Sequence, residues 1–172
     1  MVRYEFCRTF GGKITSVDSD FNADIFLSHF KNNFQDKEFH SRRDIAVEAL
    51  EKSMSKGYVK NISVFHRILR DELTVTEGMF KDGWWLWPVG RYVEKHGVEH
   101  FQTSLSFIKE LTKRHTGEFA IRPLLVKFPK EGMKVMEMWS RDENVHVRHL
   151  ASESVRILTS LEQENLYGNS GV

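Results

Sequence analysis

Apolar residues recur three and four positions apart along most of this 172-residue chain, and only three prolines, Pro88, Pro123 and Pro129, interrupt it. No other feature restricts the fold as much. Spacing of three and four puts side chains on one face of a helix, whereas strands need alternation, which is scarce here. Leu, Met, Glu and Lys are common and add helix propensity. A chain of this length can bury one core as a single domain.

Taken in order, residues 1–20 are weakly patterned, and Gly11-Gly12 reads as a break, so a flexible N-terminal arm is expected there. Asp20 or Asn22 can cap a first helix carrying Ile25, Phe26, His29, Phe30 and Phe34 on one face. His29 on that apolar stripe reads as a core or groove histidine rather than a ligand. A second helix is predicted over 37–55, with Phe39, Ala46, Ala49, Leu50 and Met54 inward and Gly57 at its end. A third covers 58–73, burying Ile62, Phe65, Ile68 and Leu69.

The segment G-M-F-K-D-G-W-W-L-W-P then gathers Trp84, Trp85 and Trp87, with Asp82-Gly83 as a turn signal. Pro88 suits the first turn of a helix over 89–96, and Gly97 its end. Further helices are predicted over 98–114 and 118–128, the latter capped by Thr116 and kinked or cut short by Pro123. Gly132 reads as a break, and Met133, Met136 and Trp139 share a face beyond it. Asp142 or Asn144 caps the last helix, 145–162. At 100° per residue, its Val147, Leu150, Ala151, Val155, Ile157 and Leu158 fall within one arc of about 160°. Arg148 stands at the edge of that arc, beside Val155. His149, Ser152, Glu153 and Arg156 fall opposite. The tail, 164–172, reads as frayed.

Seven or eight helices joined by short loops predict an all-α chain, an α-solenoid more than a closed four-helix bundle. The concave face of a solenoid suits an extended partner such as DNA. The repeat domain is expected over 21–163.

Charge is nearly balanced, with 25 Lys and Arg against 24 Asp and Glu, which excludes a uniformly basic nucleic-acid coat but not a local basic face. A single cysteine, Cys7, allows no intramolecular disulfide. With no apolar leader and no long apolar run, a cytoplasmic chain without membrane partners is expected. There is no P-loop and no dinucleotide fingerprint. His96 and His100, and His146 and His149, lack the partners of a metal site, so neither a metal nor another cofactor is expected.

Two constellations point to a partner. Between residues 113 and 130, Lys113, Arg114, Arg122, Lys127 and Lys130 face a single acid, Glu118. With Arg148 and His149 they can form a phosphate-binding track, although a solvated face is the commoner fate of such a run. Arg122 can also pair with Glu118 at i, i+4. The tryptophans form either a core plug or an aromatic wall that packs on a sugar or base.

Three stretches together carry a resemblance. They are G-M-F-K-D-G-W-W-L-W-P-V-G-R-Y-V-E-K-H-G, L-T-K-R-H-T-G-E-F-A-I-R-P-L-L and W-S-R-D-E-N-V-H-V-R-H-L-A-S-E-S-V-R, spanning about Gly78 to Arg156. In order and spacing they resemble the DNA alkylation repair family, the AlkC/AlkD-like glycosylases, and are closer to AlkC. The resemblance implies HEAT-like repeats in a C-shaped, DNA-cradling solenoid. It also implies excision of N-alkylated purines such as 3-methyladenine from double-stranded DNA, without a cofactor; the chain itself is expected to be a monomer.

A purine alkylated at N3 or N7 is already cationic and leaves readily. What helps is a negative charge near the sugar as oxocarbenium character develops, or a carboxylate that orients water. Glu118, in T-G-E-F-A-I-R-P, has the family position for that role, with Asp82 a second catalytic candidate and Asp142 a weaker one. A glutamate in a helix first turn is also common for stability alone. Trp85, Trp87 and Trp139 are expected to pack on the lesion nucleotide, and Lys113, Arg114, Arg122 and Arg148 to hold phosphates. Where the family continues from S-E-S-V-R into a segment with Pro and Trp and further helices, this chain reads I-L-T-S-L-E-Q-E-N-L-Y-G. That departure motivates the rival expectation, a non-catalytic helical-repeat module that binds DNA or protein.

Overall fold

A computed structural model of the chain describes residues 4–33, 39–73 and 83–168, and these residues contain helices and no strand. The order is α1 (Tyr4–Thr15), α2 (Ala23–Asn33), α3 (Phe39–Ser53), α4 (Tyr58–Ile68), α5 (Trp87–His96), α6 (Phe101–Thr112), α7 (Glu118–Lys127), α8 (Pro129–Trp139) and α9 (Val145–Gly168). Short 3-10 turns lead into α5 (Trp84–Leu86) and α6 (Gly97–His100). The helices stack as pairs. Along one layer α2 packs on α3, α3 on α5, α5 on α7 and α7 on α9, while α4 lies on α6 and α8 covers α7 and α9.

The N-terminal segment departs from the expected arm. Residues 4–15 are helical, and Phe10 and Ile14 are fully buried. Two glycines cost about 1 kcal/mol each in a helix, whereas burying Phe10 and Ile14 returns about 1.5–3 kcal/mol apiece. Packing wins. Gly11 is itself useful, because a Cβ there would meet the Phe26 ring at 3.3 Å. Phe26 is ringed by Phe10 at 5.9 Å and Phe21 at 5.6 Å.

Asn22 supplies the expected cap of α2, its Oδ1 accepting the Ile25 amide at 3.0 Å. Phe26 and Phe30 point inward, but Ile25 is exposed, and His29 lies 3.3 Å from the Glu48 carboxylate on α3. In α3, Ala46, Ala49, Leu50 and Met54 are buried as predicted. Phe34 and the Phe39 side chain lie outside the described residues. Gly57 opens α4 rather than closing α3. α4 ends at Ile68, five residues short of expectation, because Leu69 turns extended. The chain then crosses to α6, where the Leu73 amide meets the Lys113 carbonyl at 3.0 Å.

An ion pair closes the α1–α2 corner. The Lys56 ammonium lies 2.5 Å from the buried Asp18 carboxylate and 2.9 Å from Asp20. The Lys56 hydrogen bond holds the Asp18 carboxyl below its ordinary value, against the opposing push of burial. A depressed folded value means stability that is full above the ordinary carboxylate range and lost as pH falls through the folded one. Asp18→Asn is therefore expected to melt below wild type at pH 7. The gap should narrow below about pH 4, and a gap independent of pH would rule this account out.

Pro123 does not end its helix early, and the expected break at Gly132 does not occur. α7 continues past Pro123 to Lys127, and α8 runs through Gly132. Pro123 lies half-buried on the outer side, while Ile121, Leu124 and Leu125 are fully buried and hold the helix against its neighbours. At Gly132 a Cβ would meet Leu125 Cδ2 at 2.6 Å, so the missing side chain lets α8 close onto α7. α9 continues through Gly168, beyond the start of the expected tail, and residues 169–172 lie outside the described residues.

Candidate active site

The turn between α6 and α7 sets the position of Glu118. Thr112 bonds back to the Ile108 carbonyl at 2.7 Å, and the amides of Arg114 and His115 both reach the Leu111 carbonyl. The cap position of α7 falls on Gly117, one residue past the expected Thr116, and carries no side-chain cap bond; Thr116 Oγ1 instead accepts the Glu118 amide at 3.3 Å from just outside the helix. Gly117 is wedged between three side chains. A Cβ there would stand 2.4 Å from Thr112 Oγ1, 3.0 Å from Ile108 and 3.2 Å from Leu150 of α9. We expect Gly117→Ala to destabilise the fold by about 1–3 kcal/mol through overpacking, measurable by denaturant unfolding. A loss below about 0.5 kcal/mol would show the seam to be slack.

Glu118 is the first residue of α7 and half-buried. Unpaired amides at a helix N-terminus favour negative charge there. Its side chain opens into a cavity of about 270 Å³ shared with Arg122 and with Glu153, Ser154, Arg156 and Ile157 of α9. Arg156 Nη1 lies 3.4 Å from Glu153 Oε2. Arg122 does not close the expected i, i+4 pair with Glu118. Its guanidinium lies over the Phe119 ring, 5.1 Å from the centroid. The cavity thus carries two carboxylates and two guanidinium groups, and the exposed Phe119 ring stands on α7 next to Glu118.

The other residues singled out in the sequence lie apart from this cavity. Lys113 is paired with Glu110 at 2.9 Å and Glu72 at 3.2 Å. Arg114 holds the Glu110 carboxylate at 3.0 Å and also donates to the carbonyls of Glu110 and Arg70. Burial pushes the Glu110 carboxyl up, but the hydrogen bonds from Lys113 and Arg114 outweigh it and leave it below its ordinary value. Arg148 is exposed and donates to the carbonyls of Asp142 and Glu143, both at 2.8 Å. Asp142 is tied to Lys109 at 2.5 Å, and Asn144 Oδ1 caps α9 by accepting the His146 amide at 3.0 Å. Burial raises the Asp142 carboxyl, and the Lys109 hydrogen bond more than offsets it.

None of the three tryptophans lines the Glu118 cavity. Trp139 is a core residue, 7% exposed. Trp85 is half-buried with its edge on Phe10 at 6.2 Å and the Lys13 ammonium 5.1 Å over its ring. Trp87 is half-buried under the Arg43 guanidinium, 6.0 Å from its centroid. Asp82 lies outside the described residues.

Sequence reasoning misses the α9 side of the cavity. Helical periodicity puts Glu153 and Arg156 on a polar arc facing away from the core. Ser154 carries a readable signal, since at 100° per residue it falls inside the apolar arc of α9, a polar residue among buried positions.

Stacked helices, with a charged cavity where α7 meets α9, define an all-helical class among the described residues. No family model matches the chain. Its fold is similar to that of the Pseudomonas fluorescens alkylpurine DNA glycosylase AlkC bound to DNA containing an abasic site analog. The TM-score is 0.76 and the identity 26%, over 88% of this chain and 40% of that one. An uncharacterized Bacillus subtilis (strain 168) protein, YhaZ, is 30% identical over 148 residues, which is 83% of this chain and 38% of that protein. The chain therefore spans about two fifths of the length of these relatives. The likeness to AlkC supports the AlkC-like family that its motifs resemble.

Proposed function

We propose that this chain is a DNA repair glycosylase that hydrolyses the N-glycosidic bond of N-alkylated purines of the 3-methyladenine type. The observation that carries this reading is the placement of Glu118. It stands at a helix N-terminus, in the T-G-E-F-A-I-R-P motif, and opens into a cavity of about 270 Å³. The likeness to a glycosylase bound to DNA with an abasic site analog supports the same chemistry.

In this reading the cationic purine leaves as C1′ gains positive character, and the Glu118 carboxylate stabilises that charge or orients the attacking water. Arg122 and Arg148 are exposed and pair with no carboxylate among the described residues, so they would meet phosphates, Arg148 through the guanidinium nitrogens that its bonds to the Asp142 and Glu143 carbonyls leave over. Lys113 and Arg114 would have to exchange Glu72 and Glu110 for a phosphate, so their share of binding is smaller. Trp85 and Trp87 would contribute as packing surfaces beside the DNA, with double-stranded DNA as the partner.

The test is release of 3-methyladenine from methylated duplex DNA by the 172-residue chain. Release above the spontaneous rate supports the reading. A chain that binds duplex DNA yet releases no base would instead be a non-catalytic helical-repeat module. DNA binding should also weaken steeply with salt, because each phosphate contact releases counterions.

A further inference from the structure

Ser154 is a buried hydroxyl that the fold leaves without a partner. It is 1% exposed, and its Oγ makes no hydrogen bond. The other fully buried hydroxyls of serine and threonine among the described residues are all bound. Ser53 donates to the Ala49 carbonyl at 2.6 Å, Thr112 to Ile108 at 2.7 Å and Ser104 to Gly97 at 2.8 Å. A serine inside a helix ordinarily bonds back to the carbonyl four residues earlier. Ser154 does not take that option at Leu150. A buried hydroxyl without a partner is costly, so the position calls for an occupant that supplies one.

The cavity indicates where that occupant sits. Ser154 lines it together with Glu118, and the two side chains do not bond each other. Ile157 adds an apolar wall on the same helix, which limits how much water the site admits.

We propose that Ser154 and Glu118 together hold the water molecule that attacks C1′, an inference that rests on the glycosylase reading. The water gives one proton to the Glu118 carboxylate and its other hydrogen to a hydrogen bond with Ser154 Oγ. Its lone pair forms the C1′–O bond as the C1′–N bond breaks. The bonding pair stays on the purine nitrogen, so the cationic base leaves neutral. The sugar keeps the oxygen as a C1′ hydroxyl. Ser154 is then a catalytic residue by orientation, since it fixes which lone pair faces the sugar.

The experiment compares wild type, Ser154→Ala and Ser154→Cys on duplex DNA carrying 3-methyladenine. It is run in water and in water–methanol mixtures. Single-turnover release by Ser154→Ala should fall about ten-fold, the worth of one hydrogen bond at the reacting water. Its melting temperature should hold or rise, because the change removes an unpartnered hydroxyl. Its products should shift from the hydrolysed sugar toward the methyl glycoside, since the site no longer selects a molecule with two hydrogens to place. Ser154→Cys, a poorer acceptor, should fall between the two. Wild-type rate and wild-type product ratio in Ser154→Ala would overturn the role of Ser154 while leaving the glycosylase reading intact. A wild-type chain that releases no base would overturn both.

Discussion

Glu118→Gln is expected to release 3-methyladenine about a hundred-fold more slowly than wild type, with its fold unchanged. The substitution keeps the shape of the side chain and removes its charge. In the proposed reaction that charge faces C1′ as positive character grows, in the cavity between α7 and α9. A glutamine can still touch the water but cannot take its proton. Stability should fall by no more than about 1 kcal/mol, the worth of a negative charge in the first turn of α7. Single-turnover kinetics with a parallel thermal melt separate the two effects. A variant that releases base at the wild-type rate would remove Glu118 from the chemistry.

Trp139→Ala tests the opposite assignment, a residue placed on the lesion by its motif and in the core by the structure. It is 7% exposed on α8, the helix that covers α7 and α9. Truncating a buried aromatic of this size costs about 3–5 kcal/mol, a large part of the roughly 5–15 kcal/mol that holds a domain together. Denaturant unfolding should show that loss with or without DNA. Should the variant instead keep full stability and lose only base release, Trp139 would belong to the substrate surface after all.

These two residues illustrate how far a sequence alone can be read. Glu118 is legible because a threonine, a glycine and an acid in sequence describe a helix start, even though the cap position falls on the glycine, and its motif supplies a role. Trp139 is legible as a helical residue on the Met133–Met136 face, but spacing does not say what covers a face. The all-helical class follows from apolar recurrence, and the starts of α2, α5 and α9 from Asn22, Pro88 and Asn144. The misses share one cause. At Gly11, Pro123 and Gly132 a local breaker is outweighed by burial of distant side chains, which no single stretch of sequence reveals. The basic run fails to stay free for a related reason. Lys113 and Arg114 meet Glu72 across about forty residues of chain, and Glu110 one turn away. The α9 side of the cavity is hidden because a helical wheel separates buried from exposed but says nothing about which other helix lies opposite.

Gly117 and Gly132 have a joint consequence. One leaves no room at the start of α7, between α6 and α9, and the other leaves none near its end, against Leu125. The helix is gauged at both ends, like a part held between two stops, and its freedom to slide along its axis is small. A carboxylate on its first residue inherits that tolerance. Single methyl groups added at positions that never touch a substrate would therefore act as shims, displacing Glu118 by fractions of an ångström and reading out in turnover before they read out in binding.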